Sequence, residues 1–149
     1  MTVISFYQLE SNSLDRALPN LLEKVLERGH RAVVIAGSEE RVEALNSALW
    51  TYDQRAFLPH GAEGDGFADR QPVYLTTVDE NPNSSDVLVL VDGTTSEQLN
   101  SFERVLDMFD GHDNDALAAA RERWRTFKER GHTLTYWQQT SQGSWEQKG

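Results

Sequence analysis

The most suggestive chemistry in this chain sits on ten consecutive residues. Residues 121–130 (RERWRTFKER) hold five basic and two acidic side chains, a local +3 in a chain of formal net charge −10. At 100° per residue, Arg121, Arg125 and Lys128 fall side by side on one flank of a helix. Leu117, Ala120, Trp124 and Phe127 form the adjoining apolar face, with Trp124 at the border. Guanidinium groups beside an aromatic wall suit a carboxylate, which arginine can hold through two parallel hydrogen bonds. The other reading is a core-packed helix with solvated cations, which also suit a helix C-terminus. The pattern leaves both open.

A second constellation pairs Trp50, at the end of an amphipathic stretch, with Phe57 in Phe57-Leu58-Pro59-His60-Gly61. Composition favours the core for both rings, the commonest fate of large aromatics. The functional reading is an apolar surface covered by a partner, because aromatics are the usual interface anchors.

Other chemistries lack their parts. His60 to Arg70 (HGAEGDGFADR) is a glycine-rich acidic loop. A phosphate-binding loop needs a lysine and a Ser or Thr after its glycines, whereas here Glu63 and Asp65 interrupt them and would repel phosphate. No G-x-G-x-x-G follows the first strand. His30, His60, His112 and His132 have no second histidine at helical metal-site spacing. The acids around His112 do not match a calcium loop. No serine has a nucleophile-elbow context, and with no cysteine there are no disulfides, thiolate metal sites or thiol catalysis. The expectation is no catalytic, cofactor or metal site.

These groups must be held by elements legible in the pattern. Thr2 to Leu9, Arg31 to Ala36, Pro72 to Val78, Asp86 to Val91 and Thr133 to Gln138 read as strands, and Ala56 to Leu58 as a short one. Leu14 to Arg28 reads as a helix stopped by Gly29, with Pro19 moving its start toward Leu18. Ser38 caps a helix running through Leu49. Glu97 to Phe109 and Asp115 to Arg130 read as two more helices, the second closed by Gly131. Asn81 to Ser85 is a turn, and Ser141 to Gly149 reads as a frayed polar tail. Strand–helix alternation at the front predicts an α/β fold with a mainly parallel central sheet and helices on both faces. A length of 149 residues fits one domain, placed at 1–140 with the tail at 141–149. Met1 to Glu10 lacks a signal-peptide pattern, and no apolar run reaches the ~20 residues of a membrane span, so a cytoplasmic protein without membrane contact is expected. The acidic total disfavours direct DNA binding, which needs cations against phosphates.

Three blocks resemble the chi subunit family of bacterial DNA polymerase III. They are Ala44 to Gly61 (ALNSALWTYDQRAFLPHG), Arg121 to Arg130 followed by Gly131-His132, and Leu134 to Gln139 (LTYWQQ) with Trp145 beyond. The opening strand fits too, so the resemblance spans almost the whole chain. It implies a Rossmann-like three-layer domain without nucleotide chemistry, a non-catalytic holoenzyme subunit. Such a subunit pairs with psi, which links it to the clamp loader. It also captures the acidic, hydrophobic C-terminal tail of single-stranded DNA-binding protein, and some members associate with an accessory helicase. The psi-facing positions fall on Trp50 and Phe57, and the tail-binding positions on Arg121, Trp124 and Arg125. Trp124 stands where some relatives have tyrosine, and Arg125 where some have lysine. By its spacing, Lys128 extends the positive track. The competing classes are a nucleotide-binding α/β enzyme, disfavoured by the missing phosphate motif, and a direct nucleic-acid binder, disfavoured by net charge.

Overall fold

The computed structural model describes residues 2–51, 61–62 and 71–148, apart from the side chains of Trp50 and Thr51. Among them are eight strands and three α-helices. In chain order these are β1 (Val3–Leu9), α1 (Leu14–Glu27), β2 (Ala32–Ile35), α2 (Glu39–Thr51), β3 (Gly61–Ala62), β4 (Val73–Thr76) and β5 (Val87–Leu90). After a 3-10 turn at Leu99–Ser101 come β6 (Arg104–Asp110), α3 (Asn114–Glu129), β7 (Thr133–Gln139) and β8 (Trp145–Gln147). The strands form one sheet in the order β3-β4-β2-β5-β6-β1-β7-β8. All neighbours are parallel except β7 and β8.

β2 (AVVI) and β5 (VLVL) are buried on both faces, which explains their unbroken apolar runs. Alternate residues feed two cores. Val34, Val89, Leu106 and Met108 pack under α1 and α2, through Leu18, Leu22, Val42 and Leu45. Ile4, Phe6, Val33, Leu88 and Phe109 pack under α3, through Ala120 and Phe127. The mixed α/β, mainly parallel arrangement agrees with the sequence expectation.

The helix ends follow their sequence signals. Ser38 Oγ accepts the N–H of Arg41 at 3.1 Å, and Asp113 Oδ1 accepts those of Asp115 and Ala116. Gly29 (φ +80) and Gly131 (φ +84) take the left-handed cap conformation. The next N–H groups turn back, His30 to the carbonyl of Val25 and His132 to that of Phe127.

Three expectations are corrected. Glu97 to Phe109 is not a helix, because Arg104–Asp110 is the strand β6 between β5 and β1. Leu99, Phe102, Leu106 and Phe109 are spaced like a helical stripe, but burial from Val105 to Phe109 is continuous, as a two-faced central strand requires. Helix α1 starts at Leu14, with Pro19 inside it and buried. The apolar stripe already begins with buried Leu14 and Ala17, and their packing outweighs the one bond that Pro19 cannot donate. Trp145–Gln147 is not frayed: β8 pairs with β7, with Trp145 packed beside Tyr7. The short strand expected at Ala56 to Leu58 lies outside the described residues.

The one charged side chain in the middle of β6 is Asp107, 1% exposed. Arg123 of α3 meets it with a two-pronged contact, Nε to Oδ2 at 2.7 Å and Nη2 to Oδ1 at 2.9 Å. Burial pushes the Asp107 carboxyl above its ordinary value, and the guanidinium pulls against that. Breaking one side of such a pair costs about 3–5 kcal/mol, whereas replacing both sides by apolar groups is often neutral. Arg123→Met is therefore expected to lose stability on that scale in urea unfolding, and Arg123→Met with Asp107→Leu to recover most of it.

Candidate functional site

Helix α3 crosses from β6 to β7 over β1, which lies between them in the sheet. Its inner face is set by Phe127, Ala120 and the Asp107–Arg123 contact. That rotation leaves Arg121, Arg125 and Lys128 exposed together on the opposite side, and Trp124 half-buried between the two faces. The structure thus brings together the four residues expected from helical spacing.

Their partners are more informative than their exposure. Arg125 Nη2 donates to Glu122 Oε1 on the same helix, so its charge is locally matched. Arg121 and Lys128 make no ion pair among the described residues. Trp124 meets Phe6 edge-on at 5.4 Å and Tyr136 of β7 edge-on at 5.7 Å. Tyr136 stacks over Phe6 and donates its hydroxyl to Gln8 Oε1. Burial raises the Tyr136 phenol above its ordinary value, and the charge of Arg121 acts against this. Leu117, Trp124, Leu134 and Tyr136 make a half-buried apolar seam between α3 and β7, and Arg121 lies about one turn before Trp124 on α3. Leu134 and Tyr136 were missed as site residues by sequence reasoning. The signal was available only as alternation in β7, which sends both side chains to the α3 face.

Trp50 lies in the last turn of α2, and its side chain is outside the described residues, as is all of Phe57. Of the glycine-rich loop, only Gly61 and Ala62 are described, as β3 beside β4.

The crevice at the carboxyl ends of the parallel strands is the usual ligand site of open α/β sheets. Here it is a cavity of about 730 Å3 whose walls include Glu10, Asp15, Asp92, Asp110 and Asp115. Its two arginines are engaged, Arg41 with Asp92 at 3.1 Å and Arg123 with Asp107. Such a wall repels phosphate, in line with the missing phosphate loop. Asp110 and Asp113, near His112, serve the local backbone by accepting N–H groups.

At the other end of the sheet, His30, Asp86 and Glu103 bring three metal-ligand atoms within 4.8 Å of one another. They come from three separate loops, which hid the cluster from sequence spacing. Asp86 accepts the N–H of Arg31 at 2.9 Å and lies against His30 Nδ1. Burial pushes the Asp86 carboxyl up, but the hydrogen bonds from Arg31 and His30 outweigh it and hold it below its ordinary value.

Fold and site together define a mixed α/β protein with cations that make no ion pair among the described residues beside an aromatic seam, and with an acidic crevice where nucleotide-binding α/β sheets commonly carry phosphate. The family profile described as DNA polymerase III chi subunit, HolC, matches residues 1–135, and the chain belongs to that family. It is 30% identical over 117 residues to the probable DNA polymerase III subunit chi of Rickettsia prowazekii, covering 74% of this chain and 71% of the relative. The DNA polymerase III subunit chi of Pseudomonas aeruginosa is 28% identical, with 90% and 94% covered. That of Escherichia coli is 24% identical, with 87% and 93% covered. Among the described residues, no helix is long and apolar enough to cross a membrane.

The Asp86 geometry has a pH consequence. A depressed folded-state value stabilises the fold above the unfolded value, about 3.9 for Asp, and this contribution is lost as pH falls through the folded one. Asp86→Asn is expected to lower the thermal midpoint at pH 7, with the gap to the unsubstituted chain closing below about pH 4. Equal midpoints at pH 7 would show that the contact contributes nothing.

Proposed function

We propose that this chain is a non-catalytic, cytoplasmic accessory subunit of the replicative DNA polymerase III, with a Rossmann-like fold used as an adaptor. In this reading it bridges the clamp-loader complex, through psi, to the C-terminal tail of single-stranded DNA-binding protein, and an accessory helicase is a further partner. Membership of the chi family supports the setting. The observation that carries the tail site is Arg121, which makes no ion pair among the described residues and lies about one turn before Trp124 of the Trp124–Tyr136 seam.

A receptor for an acidic tail ending in an apolar residue needs a fixed cation, an apolar wall and diffuse positive charge. Arg121 supplies the first, Trp124 the second, and Arg125 and Lys128 the third. Glu122 matches part of the Arg125 charge, so Arg121 and Lys128 carry most of the attraction. The attraction is local, since charges beyond ~8–10 Å are largely screened at physiological salt. A net charge of −10 therefore does not prevent it. Trp50 and Phe57 are assigned to the psi interface on the family resemblance.

Titrating tail peptide into the folded chain tests this reading. Loss of a charge-assisted contact of about 1.5–3 kcal/mol predicts that Arg121→Ala weakens binding roughly ten- to a hundredfold. Affinity should also fall as salt rises. Unchanged affinity in a folded Arg121→Ala chain would leave α3 a plain solvated face. For the second surface, Trp50→Ala is expected to weaken psi capture by more than tenfold while shifting the thermal midpoint little. Unfolding by this change would return Trp50 to the core.

A further inference from the structure

The other face of the sheet carries a second meeting of cations and aromatic rings. Under the last turns of α1, near the amino ends of β2, β5 and β6, lies a cavity of about 290 Å3. Its aromatic walls are Tyr7, Trp137 and Trp145, and its cationic rim is Lys24, Arg28 and Arg104. The register explains how distant residues converge. Tyr7 sits opposite Trp137 in the parallel β1–β7 ladder, and Gln139 opposite Trp145 in the β7–β8 hairpin. The Tyr7 ring is nearly parallel to Trp137 (11°) and edge-on to Trp145 at 5.0 Å. On α1, Lys24 and Arg28 are one turn apart and reach over the same opening.

What distinguishes this cavity is that its unmatched cations converge on one aromatic-walled opening. In an acidic chain, most converging cations should find carboxylates. Yet Lys24, Arg28 and Arg104 make no ion pair among the described residues. The Arg104 Nε is buried with no hydrogen-bond partner, although buried donors are normally satisfied. Burial pushes the Tyr7 phenol up from its ordinary value, and Arg104, a hydrogen bond with Ser5 and Arg28 pull against that; Tyr7, Arg28 and Arg104 all line the cavity. Asp86, beside the lining residue His30, is engaged with that ring and the Arg31 N–H. The C-terminal dipole of α1 opposes an anion here, but the bonds from Gly29 and His30 already cap its last carbonyls.

We propose that this cavity binds a small dianion carrying a flat aromatic group, the chemistry of a 5′-phosphorylated nucleoside. Three unpaired cations match a phosphate monoester, which carries about −1.5 to −2 at pH 7, better than a single carboxylate. The indoles and the phenol offer stacking surface to a base, a contact tolerant of base identity. The volume of about 290 Å3 lies just under the usual range for small-molecule sites, roughly 300–1,000 Å3, so the occupant is no larger than a mononucleotide. A free nucleotide and the 5′-phosphorylated end of a strand share this chemistry.

The test is a titration of the full chain with dTMP, read by indole fluorescence and by the thermal midpoint, which a native-state ligand must raise. Saturable quenching by dTMP, with thymidine and inorganic phosphate each at least tenfold weaker, is the expected result. Arg28→Gln and Arg104→Gln should each weaken dTMP about tenfold. Arg28 is exposed on the helix surface, so its variant tests the site even if Arg104→Gln fails to fold. Saturation by a 5′-phosphorylated oligothymidylate but not by dTMP would assign the site to a strand end. Its unphosphorylated form should then bind at least tenfold more weakly. Absence of saturation with every probe, phosphate binding as tightly as dTMP, or unchanged affinity in Arg28→Gln would overturn the proposal.

Discussion

The Asp107–Arg123 pair is the constraint on which the rest of this architecture turns. A carboxylate in the middle of a central strand has no water to hydrate it, so the opposing helix must supply a cation at one position and in one orientation. Arginine meets this with a planar fork that fits both carboxylate oxygens. Once Arg123 points into the sheet, the rotation of α3 is fixed. Phe127 and Ala120 go inward with it, and Arg121, Arg125 and Lys128 go outward. Hydrophobic burial alone tolerates some rolling of a helix on a sheet, and a buried two-pronged ion pair does not. The pair also alters the charge arithmetic of the basic stretch. Arg123 counts toward the local +3 but is used in the interior, and Arg125 is matched by Glu122, so the outward field of the stretch comes from Arg121, Lys128 and Arg130, reduced by Glu129.

This division explains what the amino-acid pattern could and could not reveal. Helix ends were legible because Gly29, Ser38 and Gly131 are local signals whose chemistry needs no tertiary information. β2 and β5 were legible because an unbroken run of β-branched residues and leucine suits a strand covered on both faces. β6 was not, because Asp107 breaks its apolar run and the remaining spacing imitates a helix. Only the cross-sheet arginine makes that aspartate tolerable, and its identity lies sixteen positions away. β8 was hidden for a related reason: its residues are polar, and it exists as a partner to β7 with Trp145 as its anchor. The cationic face of α3 was legible from helical geometry alone. The seam it borders was not, because Tyr136 and Leu134 come to it through a crossover that places β7 beside β1.

Electrostatics then divides the surface. The carboxyl ends of the strands gather acids, and the two arginines there are committed to ion pairs. This is the end of the sheet where open α/β architectures commonly hold phosphate, and the acidic lining opposes that use here. Among the described residues, cations without an ion pair lie elsewhere, on the outer flank of α3 and around the end of α1. A total of −10 is therefore a poor guide to what the molecule attracts.

Strand β1 shows how two such surfaces coexist in a small protein. Phe6 and Tyr7 are neighbours in sequence, and the pleat sends them to opposite faces. Phe6 supports Trp124 and Tyr136 beneath α3. Tyr7 supports Trp137 and Trp145 beneath α1. Each ring is flanked by a residue of β7 in register, Tyr136 on one face and Trp137 on the other. The alternation that builds one aromatic platform therefore builds the other at no extra length of chain. A one-residue slip of β7 against β1 would exchange the two sets, sending Tyr136 and Trp137 to the wrong faces at once. The register is held from both sides, by Thr135 donating to Ser5 at 2.7 Å on the α1 face and by Tyr136 donating to Gln8 on the α3 face. These polar contacts join the in-register aromatic pairs in keeping each ring on its own face of the sheet.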